Sequence, residues 1–558
     1  MTVMGRVAEL LAPLPPATTR KVTVERGLRI PMDDGVTLLA DHWAPRPAAG
    51  TRLDQIPVVL VRTAYGRGGP LGLLYGPVLA ERGVQVLLVS ARGTFGSGGE
   101  FLAMRNERED GLATLRWLDD QPWAGAGVIL AGSSYFGYTQ WAVADVAPPS
   151  VKAMVPHVTS SRLALGLMPP GRFDLETIVG FSWNTAPQRR RDQQLPASQE
   201  RRGYLLRATI GADRRRVDRA MSTLPLTDVD TALLGRDSRF YQELLHHDQD
   251  DPYWTVADLS GTVGDVQVPM SLVGGWYDIF LPDQLRDYTN LMTAGRAPRL
   301  TIGPWWHADP RGMAASVSET VGWAAALARG DEPEQRGPVR LFVMGIDQWR
   351  DVEQWPPTGY PHQPWHLRPG GELGPTPTSS AEPTPFVYDP SDPTPSLGGP
   401  KLNPGGAGPV DNRPLEARPD VLTFTSHTLD ADLEVIGDVT AEVWVRTDRP
   451  DGDVFVRLCD VDENGRSTNL CDELVHFTAD GITKAALRLS PTAHVFRAGH
   501  RIRVQVAGGA FPRFARNLGG GEPLPTATTP YEAHIEVFHD AEHPSVVLLP
   551  TKEPRPSR

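Results

Sequence analysis

Hydrophobic positions in the first part of the chain come in short, nearly continuous runs separated by longer amphipathic stretches. The runs "PVVLVR", "VQVLLVS" and "GVILAG" are typical of strands buried on both faces of a mostly parallel sheet. A strand pair precedes them in "KVTVERGLRIPMDDGVTLLADHWAP", turned at Asp34 and Gly35, and helical stretches such as "GLATLRWLDDQ" lie between the runs. This alternation predicts an α/β domain over residues 21–155.

The pattern changes beyond that segment and then returns. Residues 156–258 are polar, Arg-rich and without clear strands, which predicts a helical insertion. Strand–helix alternation resumes in "VQVPMSLVGGWYDIF", "RLTIGPWWHADP" and "PVRLFVMGI". Residues 259–364 are therefore expected to complete the interrupted α/β domain, and residues 1–20 are interpreted as an N-terminal tail.

The last third of the chain has a different periodicity. A Pro/Gly-rich stretch after about residue 365, from "PGGELGPTPTSS" to "LNPGGAGP", predicts an irregular connection over the surface. Beyond it, "DLEVIGDVTAEVWVRT", "DVFVRLCDVDENG", "HRIRVQVAG" and "AHIEVFH" alternate apolar and polar residues. This period of two predicts an antiparallel β-sandwich within residues 365–558.

Composition narrows the range of function classes. A chain of 558 residues is too long for one hydrophobic core, and 40% hydrophobic with 22% charged residues is typical of a globular protein. The formal net charge of -12 argues against a nucleic-acid partner. No apolar run reaches the roughly 18 residues of a membrane span. With two cysteines outside any C-x-x-C motif and a poor signal peptide, a cytoplasmic protein without a membrane partner is expected, and a homodimer is left open.

The stretch "GSSYFGYTQW" places two serines where a predicted strand gives way to a helix. This is the context of a nucleophile elbow, in which a sharp turn exposes one hydroxyl at the edge of the sheet. Gly132 stands two positions before Ser134, as the elbow requires, so Ser134 is favoured over Ser133. The usual G-x-S-x-G pattern is not met, because the second glycine, Gly137, comes one position late. The alternative is that this glycine- and serine-containing turn has no catalytic role.

Two further residues follow strand ends in the order that a serine hydrolase requires. Serine becomes a strong nucleophile when a histidine takes its proton and an acid orients that histidine. Asp278 follows the strand in "VPMSLVGGWYDIF", and His307 follows the strand in "RLTIGPWWHADP". Chain order and strand ends together predict a triad with Ser134. Each residue has an alternative, since Asp278 could cap a helix and His307 could be a buried structural histidine.

Acyl transfer also requires donors for the oxyanion. One is expected to be the backbone N–H of Tyr135, the residue after the serine, and the second normally comes from the loop after an early strand. That loop, "VRTAYGRGG", contains Tyr65, whose hydroxyl could serve as the donor. The alternative for Tyr65 is a packing role.

These motifs together resemble the CocE/NonD hydrolases, which are related to X-Pro dipeptidyl-peptidases and α-amino acid ester hydrolases. The resemblance rests on "MDDGVTLLADHWAP", "VRTAYG", "ARGTFGSGGEF", "GSSYFGYTQWAVA", "GGWYDIF", "IGPWWHADP", "VRLFVMGIDQWRD" and "YDPSDPTPSLGG" in this order. It implies an α/β-hydrolase domain with an inserted helical lid and a C-terminal jelly roll. It also implies Ser134 as nucleophile, His307 as base, Asp278 as its partner, and the Tyr65 hydroxyl and Tyr135 amide as oxyanion donors.

The chain departs from this family in ways that bear on the substrate. Ser90 in "VSARG" stands where relatives commonly carry Asp, and residues 156–258 match least. The α-amino acid ester hydrolases carry acidic residues beside the catalytic Ser and Asp, whereas this chain has Phe136, Ile279 and Phe280. An apolar wall cannot solvate an ammonium group, so a neutral, hydrophobic or aromatic acyl group is expected. Phe136, Trp276 and Phe280 are the candidate substrate-binding residues.

The expected function is therefore that of a serine esterase acting on a small-molecule ester through an acyl-enzyme, with no cofactor and no metal. Three alternatives stay open: an X-Pro dipeptidyl-peptidase or amide hydrolase, an acyltransferase with the same triad, and an inert ligand-binding protein. "DVDENG" lacks the last ligand and the flanking helices of a calcium loop, and "HHD" has no neighbouring residues that complete a metal site.

Overall fold

The computed structural model describes residues 9, 14–46, 52–185, 212–331, 333, 336–402 and 405–552. In this part of the chain two large β-sheets are formed, the first flanked by helices and the second almost entirely β. Predictions for tail residues 1–8 and 10–13 and for residues 186–211 of the insertion lie outside the described residues.

The first sheet has ten strands in the order β1-β2-β4-β3-β5-β6-β7-β8-β9-β10. The central strands from β4 to β9 run parallel, and antiparallel β2 and β10 flank them. The strands are β1 (Val22–Pro31), β2 (Thr37–Pro45), β3 (Val58–Thr63), β4 (Gln85–Ser90), β5 (Val128–Ser133), β6 (Val151–His157), β7 (Ser271–Tyr277), β8 (Arg299–Trp306), β9 (Val339–Val343) and β10 (Gln348–Val352).

Both faces of the central strands β3, β4 and β5 are buried, as the continuous apolar runs predict. Along β3, Val58 and Leu60 belong to one core cluster, whereas Val59 and Val61 belong to the cluster on the opposite face. Successive side chains of a strand point to opposite faces, so each strand contributes to two cores. The described helices are α1 (Pro70–Ala80), α2 (Glu107–Asp119), α3 (Tyr135–Ala144), α4 (Leu175–Thr185), α5 (Ala212–Met221), α6 (Val229–Leu234), α7 (Arg239–His246), α8 (Leu281–Thr293), α9 (Pro310–Arg329) and α10 (Arg413–Glu416).

The segment between β6 and β7 is helical, as predicted. It carries α4 to α7, and its described residues include no strand. α4 packs against α5, α6 and α7, which makes a small helical layer beside the sheet. The helices in the described part of the chain lack the combined length and apolar character that a membrane span requires.

The second sheet has eleven strands and its own core. Its path runs β13-β22-β16-β23-β11-β12-β14-β21-β17-β18, with β19 paired to β16, and β15 pairs separately with β20. The strands are β11 (His362–Arg368), β12 (Glu372–Gly374), β13 (Thr384–Tyr388), β14 (Val421–Ser426), β15 (Leu433–Gly437), β16 (Thr440–Thr447), β17 (Asp451–Val461), β18 (Ser467–Thr478), β19 (Thr483–Arg488), β20 (Thr492–Phe496), β21 (Arg501–Ala507), β22 (Ala533–Val537) and β23 (Val546–Pro550). The predicted fold class, an α/β-hydrolase with a helical lid and a jelly roll, is confirmed.

The Pro/Gly-rich stretch is more ordered than its composition predicts. The expectation of an irregular connection is wrong where β12 and β13 join the second sheet. Pro385 lies in β13, which is the outermost strand of the path. An edge strand tolerates proline because the missing N–H can face away from the sheet.

Candidate active site

Ser134 lies on a strained turn between β5 and α3. Its backbone has φ 56° and ψ -124°, a conformation that L-residues seldom adopt. The strand ends at Ser133 and the helix begins at Tyr135, so the chain reverses direction within one residue. Such a turn directs the Ser134 side chain away from both elements at the carboxyl edge of the sheet.

Two glycines make the close approach at this turn feasible. A Cβ at Gly132 would lie 2.4 Å from Cβ of Phe136, and a Cβ at Gly137 would lie 2.2 Å from Cγ2 of Thr159. Both distances are far below van der Waals contact. Gly137 thus meets the same steric demand as the second glycine of the usual motif, although it stands one position later.

The segment after β6 holds the strained serine by its backbone. The Ser134 N–H donates to the His157 carbonyl at 2.9 Å, and the Thr159 hydroxyl donates to the Ser134 carbonyl at 2.8 Å. Val158, between them, has φ 43°, which is costly for a β-branched residue. These two hydrogen bonds join the chain at the ends of β5 and β6 and hold the strained backbone at Ser134 and Val158 in place.

Ser133 has a different environment from Ser134. It is buried, and its hydroxyl lies close to the Tyr75 phenol. Burial raises the pKa of Tyr75 to about 12, and that phenol donates to Met313 Sδ at 3.3 Å. The second serine of the pair is therefore engaged in packing beneath the turn.

Asp278 and His307 are paired at the same edge of the sheet. Asp278 directly follows β7, and His307 directly follows β8. His307 Nδ1 lies 2.6 Å from Asp278 Oδ2, and the Phe280 N–H donates to Asp278 Oδ1 at 2.9 Å. Asp278 is fully buried and His307 is 7% exposed. In a parallel sheet the carboxyl ends of β5, β7 and β8 share one edge, so this pair and Ser134 lie on the same side of the fold.

Tyr65 approaches the serine from the loop after β3. Its backbone N–H donates to the Thr63 hydroxyl at 2.9 Å, and its own hydroxyl lies close to the Ser134 side chain. Burial raises the pKa of Tyr65 well above its usual value. The phenol therefore stays protonated and can donate a hydrogen bond. On the other side of the serine, the Tyr135 amide occupies the first position of α3.

His157 lies beside this site and was not predicted from the sequence. It is the last residue of β6 and is 1% exposed, and neither ring nitrogen has a hydrogen-bond partner among the described residues. Burial and the neighbouring His307 imidazole lower the pKa of His157 to about 3. A histidine with such a low pKa is a weak base. His307 is therefore the better candidate for the general base. The signal available in the sequence was its position directly after a buried strand.

The three predicted substrate-binding residues have different surroundings. Trp276 is 1% exposed, and its indole N–H donates to the Phe342 carbonyl at 2.7 Å. Phe136 is equally buried, with its ring centroid 5.5 Å from that of Tyr65. The Phe280 ring lies 5.4 Å from His307. Contact of these residues with substrate stays a prediction, and the Trp276 contacts are those of a packing residue.

Two aromatic residues of the helical lid were missed by sequence reasoning. Phe181 of α4 lies 5.9 Å from the Tyr135 ring and 6.4 Å from the Tyr65 ring, measured between centroids. Phe240 of α7 lies 4.7 Å from Phe181. The lid thus places Phe181 against the rings of Tyr65 and Tyr135, and Phe240 packs on Phe181. Apolar spacing along α4 and α7 predicts buried faces but not the element that each face covers.

Ser90, where relatives commonly carry Asp, is hydrogen-bonded by neighbouring groups. Arg67, two residues after Tyr65, donates to the Ser90 hydroxyl at 2.5 Å and pairs with Asp41 at 3.2 Å. The Ser90 carbonyl also accepts a hydrogen bond from Ser97 at 2.9 Å. The Arg67 guanidinium therefore lies between Ser90 and the Asp41 carboxylate of β2.

The second sheet contacts the residues directly before the acid and the histidine. The Tyr277 hydroxyl donates to the Asn469 carbonyl at 3.1 Å. The Asn469 side chain donates to the Gly408 carbonyl at 3.1 Å, and a Cβ at Gly408 would lie 3.2 Å from the Trp306 ring. One buried asparagine of β18 thus connects the loops that carry Asp278 and His307.

The strand order and the position of Ser134 place the chain in the α/β-hydrolase class. Residues 34–309 match the model of the X-Pro dipeptidyl-peptidase (S15) family, and residues 332–548 match the X-Pro dipeptidyl-peptidase C-terminal non-catalytic domain. The chain is 31% identical to the cocaine esterase of Rhodococcus sp. (strain MB1 Bresler) over 578 aligned positions, covering 95% of this chain and 98% of the relative.

Solved structures share the whole fold. An aminopeptidase from a marine sediment Thaumarchaeota archaeon has a TM-score of 0.81 at 20% identity, covering 97% of this chain and 99% of its own. A selenomethionine-labelled α-amino acid ester hydrolase has a TM-score of 0.80 at 21% identity, covering 97% and 100%. The chain belongs to the CocE/NonD family of serine hydrolases, which cleave esters or peptides, and it is a carboxylic ester hydrolase. The predicted family and enzyme class are confirmed.

Proposed function

We propose that the protein hydrolyses carboxylic esters with a neutral, hydrophobic or aromatic acyl group, with Ser134 as nucleophile, His307 as base and Asp278 as its partner. The observation that carries the proposal is the 2.6 Å Asp278–His307 contact at the sheet edge where strained Ser134 meets the Tyr65 hydroxyl. An Asp that accepts from Nδ1 leaves Nε2 of the histidine free to take a proton.

The reaction proceeds through two acyl transfers. His307 Nε2 takes the Ser134 proton as Oγ attacks the ester carbonyl, and a tetrahedral intermediate forms. The intermediate collapses when the C–O bond to the alcohol breaks and the alcohol leaves with the proton from His307. Water then attacks the acyl-enzyme, again giving its proton to His307, and Ser134 is regenerated as the acid product departs.

The oxyanion is stabilised by two donors in this proposal. The Tyr65 phenol remains protonated because burial raises its pKa, and the Tyr135 amide projects from the first residue of α3. Donors that are already oriented stabilise the developing charge without reorganising. Helix α3 also begins at this amide, so its partial positive charge lies on the oxyanion side.

The acyl group is expected to contact aromatic side chains. Phe181 lies against Tyr65 and Tyr135 and is itself covered by Phe240, and Phe280 lies beside His307. Glu107 also lies close to Tyr135, but its two carboxylate oxygens are engaged by Arg62 and the Tyr135 hydroxyl. A substrate ammonium group would therefore lose its hydration without gaining a free carboxylate.

We expect a neutral acyl group to be preferred over its charged analogue. The matched pair is p-nitrophenyl 3-phenylpropanoate and p-nitrophenyl phenylalaninate, which differ by the α-ammonium group alone. The neutral ester is expected to have a kcat/KM at least about tenfold higher, because the charged analogue has to be desolvated. Acetyl and benzoyl esters complete the series. A preference for phenylalaninate would contradict the proposed acyl pocket.

Peptide cleavage is the second candidate, favoured by the match to the S15 family model. An X-Pro dipeptidyl-peptidase has to hold the free amino terminus of its substrate, which again requires a free acceptor in the pocket. Ala-Pro-p-nitroanilide in the same assay distinguishes the two candidates. An alcohol added to the assay distinguishes acyl transfer from hydrolysis. A new ester of that alcohol forms if the acyl-enzyme passes its acyl group to the alcohol in place of water.

Removing the Tyr65 hydroxyl is expected to slow the chemical step. In Tyr65→Phe the oxyanion keeps the Tyr135 amide alone, so kcat should fall by about a hundredfold while KM changes little. Steady-state kinetics on the preferred ester measure both constants. Tyr75→Phe is the matched control, since this buried phenol donates to Met313 and lies close to Ser133, away from the oxyanion donors of the proposal. An unaltered kcat in Tyr65→Phe would remove Tyr65 from the oxyanion hole.

A further inference from the structure

Tyr135 is anchored by its side chain as well as by the helix. Its hydroxyl donates to Glu107 Oε1 at 2.7 Å and accepts from the Met104 N–H at 3.0 Å. The side chain is fully buried, and burial together with the Glu107 charge raises the pKa of this phenol well above its usual value. The phenol is therefore held at its far end, while the amide at its near end is one of the two donors of the proposed oxyanion hole.

Glu107 extends this anchor to the strand that leads to Tyr65. Its Oε2 pairs with Arg62 Nη2 at 2.5 Å, and its carbonyl accepts from Arg62 Nη1 at 2.6 Å. Arg62 belongs to β3, three residues before Tyr65. The two side chains are 4% and 5% exposed. The ion pair thus contacts Tyr135, whose amide is one donor. It also includes a residue of β3, the strand that leads to Tyr65, whose hydroxyl is the other donor.

The surrounding chain leaves space for this pair. A Cβ at Gly111 would lie 2.5 Å from Arg62 Nη1, so the guanidinium occupies the volume that any other side chain at this position of α2 would need. A buried ion pair contributes little net stability, because the loss of hydration offsets the attraction between the charges. The presence of the pair at this place is better explained by the positions in which it holds its neighbouring residues than by a gain in stability.

We propose that Arg62 and Glu107 are positioning residues that fix both oxyanion donors, the Tyr135 amide through the Tyr135 hydroxyl and the Tyr65 hydroxyl through β3. This inference rests on the proposed function, because it assumes an oxyanion at these donors. Small displacements of oriented groups reduce the rate strongly, and the ground-state ester does not depend on them to the same degree. The pair should therefore influence kcat more than KM.

The test compares two tyrosines of the same helix. Tyr135→Phe removes the hydroxyl that reaches Glu107, and Tyr138→Phe removes a buried hydroxyl that donates to the Ala257 carbonyl at 3.1 Å. Each buried hydroxyl has two partners, Glu107 and the Met104 N–H for Tyr135 and the carbonyls of Met104 and Ala257 for Tyr138, so similar decreases in melting temperature are expected. We expect kcat on the preferred ester to fall roughly 10- to 100-fold in Tyr135→Phe alone, with KM within about threefold of the wild-type value.

A transition-state analogue provides the second readout. Benzeneboronic acid forms a tetrahedral adduct with a catalytic serine, so its inhibition constant should rise in Tyr135→Phe by the same factor as kcat falls. Glu107→Gln keeps an acceptor for Tyr135 but loses the ion pair, and a smaller decrease in kcat is expected there. Equal losses in Tyr135→Phe and Tyr138→Phe, or none in either, would overturn the inference. Wild-type protein without esterase activity would instead contradict the proposed function.

Discussion

Replacing Ser134 by alanine is expected to lower kcat by on the order of 10⁵- to 10⁶-fold, the largest effect of any single change in the chain. Without Oγ no acyl-enzyme forms, and only unassisted attack of water on the bound ester remains. Hydrolysis of the preferred p-nitrophenyl ester measures the loss. A fluorophosphonate that reacts with catalytic serines should label the wild-type protein and leave Ser134→Ala unlabelled.

Ser133→Ala is the matched control for this prediction. The two serines are adjacent, but Ser133 is buried and its hydroxyl lies close to Tyr75 beneath the turn. Its removal should cost about 1 kcal/mol of unfolding free energy and leave labelling and kcat close to wild type. If the wild-type protein were neither labelled nor active, the inert ligand-binding alternative would be favoured. Loss of activity in Ser133→Ala with retention in Ser134→Ala would reverse the assignment of the nucleophile.

Asp278→Asn is expected to reduce kcat by about 10⁴-fold. The carboxylate accepts from His307 Nδ1 at 2.6 Å, whereas an amide nitrogen at this position would donate and favour the opposite tautomer. In that tautomer Nε2 carries the proton and cannot take another from Ser134. The charge that stabilises the imidazolium is lost in the same substitution. Initial rates at neutral pH, together with thermal unfolding, separate this loss from misfolding.

Asp309→Asn provides the control for the acid. Asp309 is 2% exposed, and it caps α9 by accepting from the Arg311 N–H at 2.9 Å. Asparagine caps helices as well as aspartate does, so activity and melting temperature should stay close to wild type. A decrease in kcat of less than tenfold in Asp278→Asn would contradict the role assigned to this carboxylate.

The positions of the candidate triad could be predicted because each depends on local signals. Ser134, Asp278 and His307 each follow a short apolar run, and such runs are readable as buried strands wherever they occur. The structure places all three directly at the ends of β5, β7 and β8. Parallel strands share a carboxyl edge, so chain order and strand ends were sufficient to bring these residues to one side of the fold.

The Pro/Gly-rich connection shows where local signals mislead. Its composition predicts irregular chain, yet β13 pairs with β22 along five residues, including Pro385 opposite Glu536. Whether such a segment becomes an edge strand depends on the availability of a partner strand, which lies about 150 residues away in the chain. No local pattern contains that information.

By itself the sequence determined the fold class, the turn from strand to helix at Ser134 and the order of the candidate site residues, because periodicity, turn chemistry and strand ends are properties of neighbouring residues. The tertiary structure alone decided what surrounds them. Three contacts illustrate this: Phe181 of the lid with Tyr135, Arg62 with Glu107, and Tyr277 with Asn469. The two residues of each contact lie in separate elements and are 45 to 192 positions apart in the chain. Such contacts arise when helices and sheets pack against one another, and packing is decided by the shape and charge of whole surfaces.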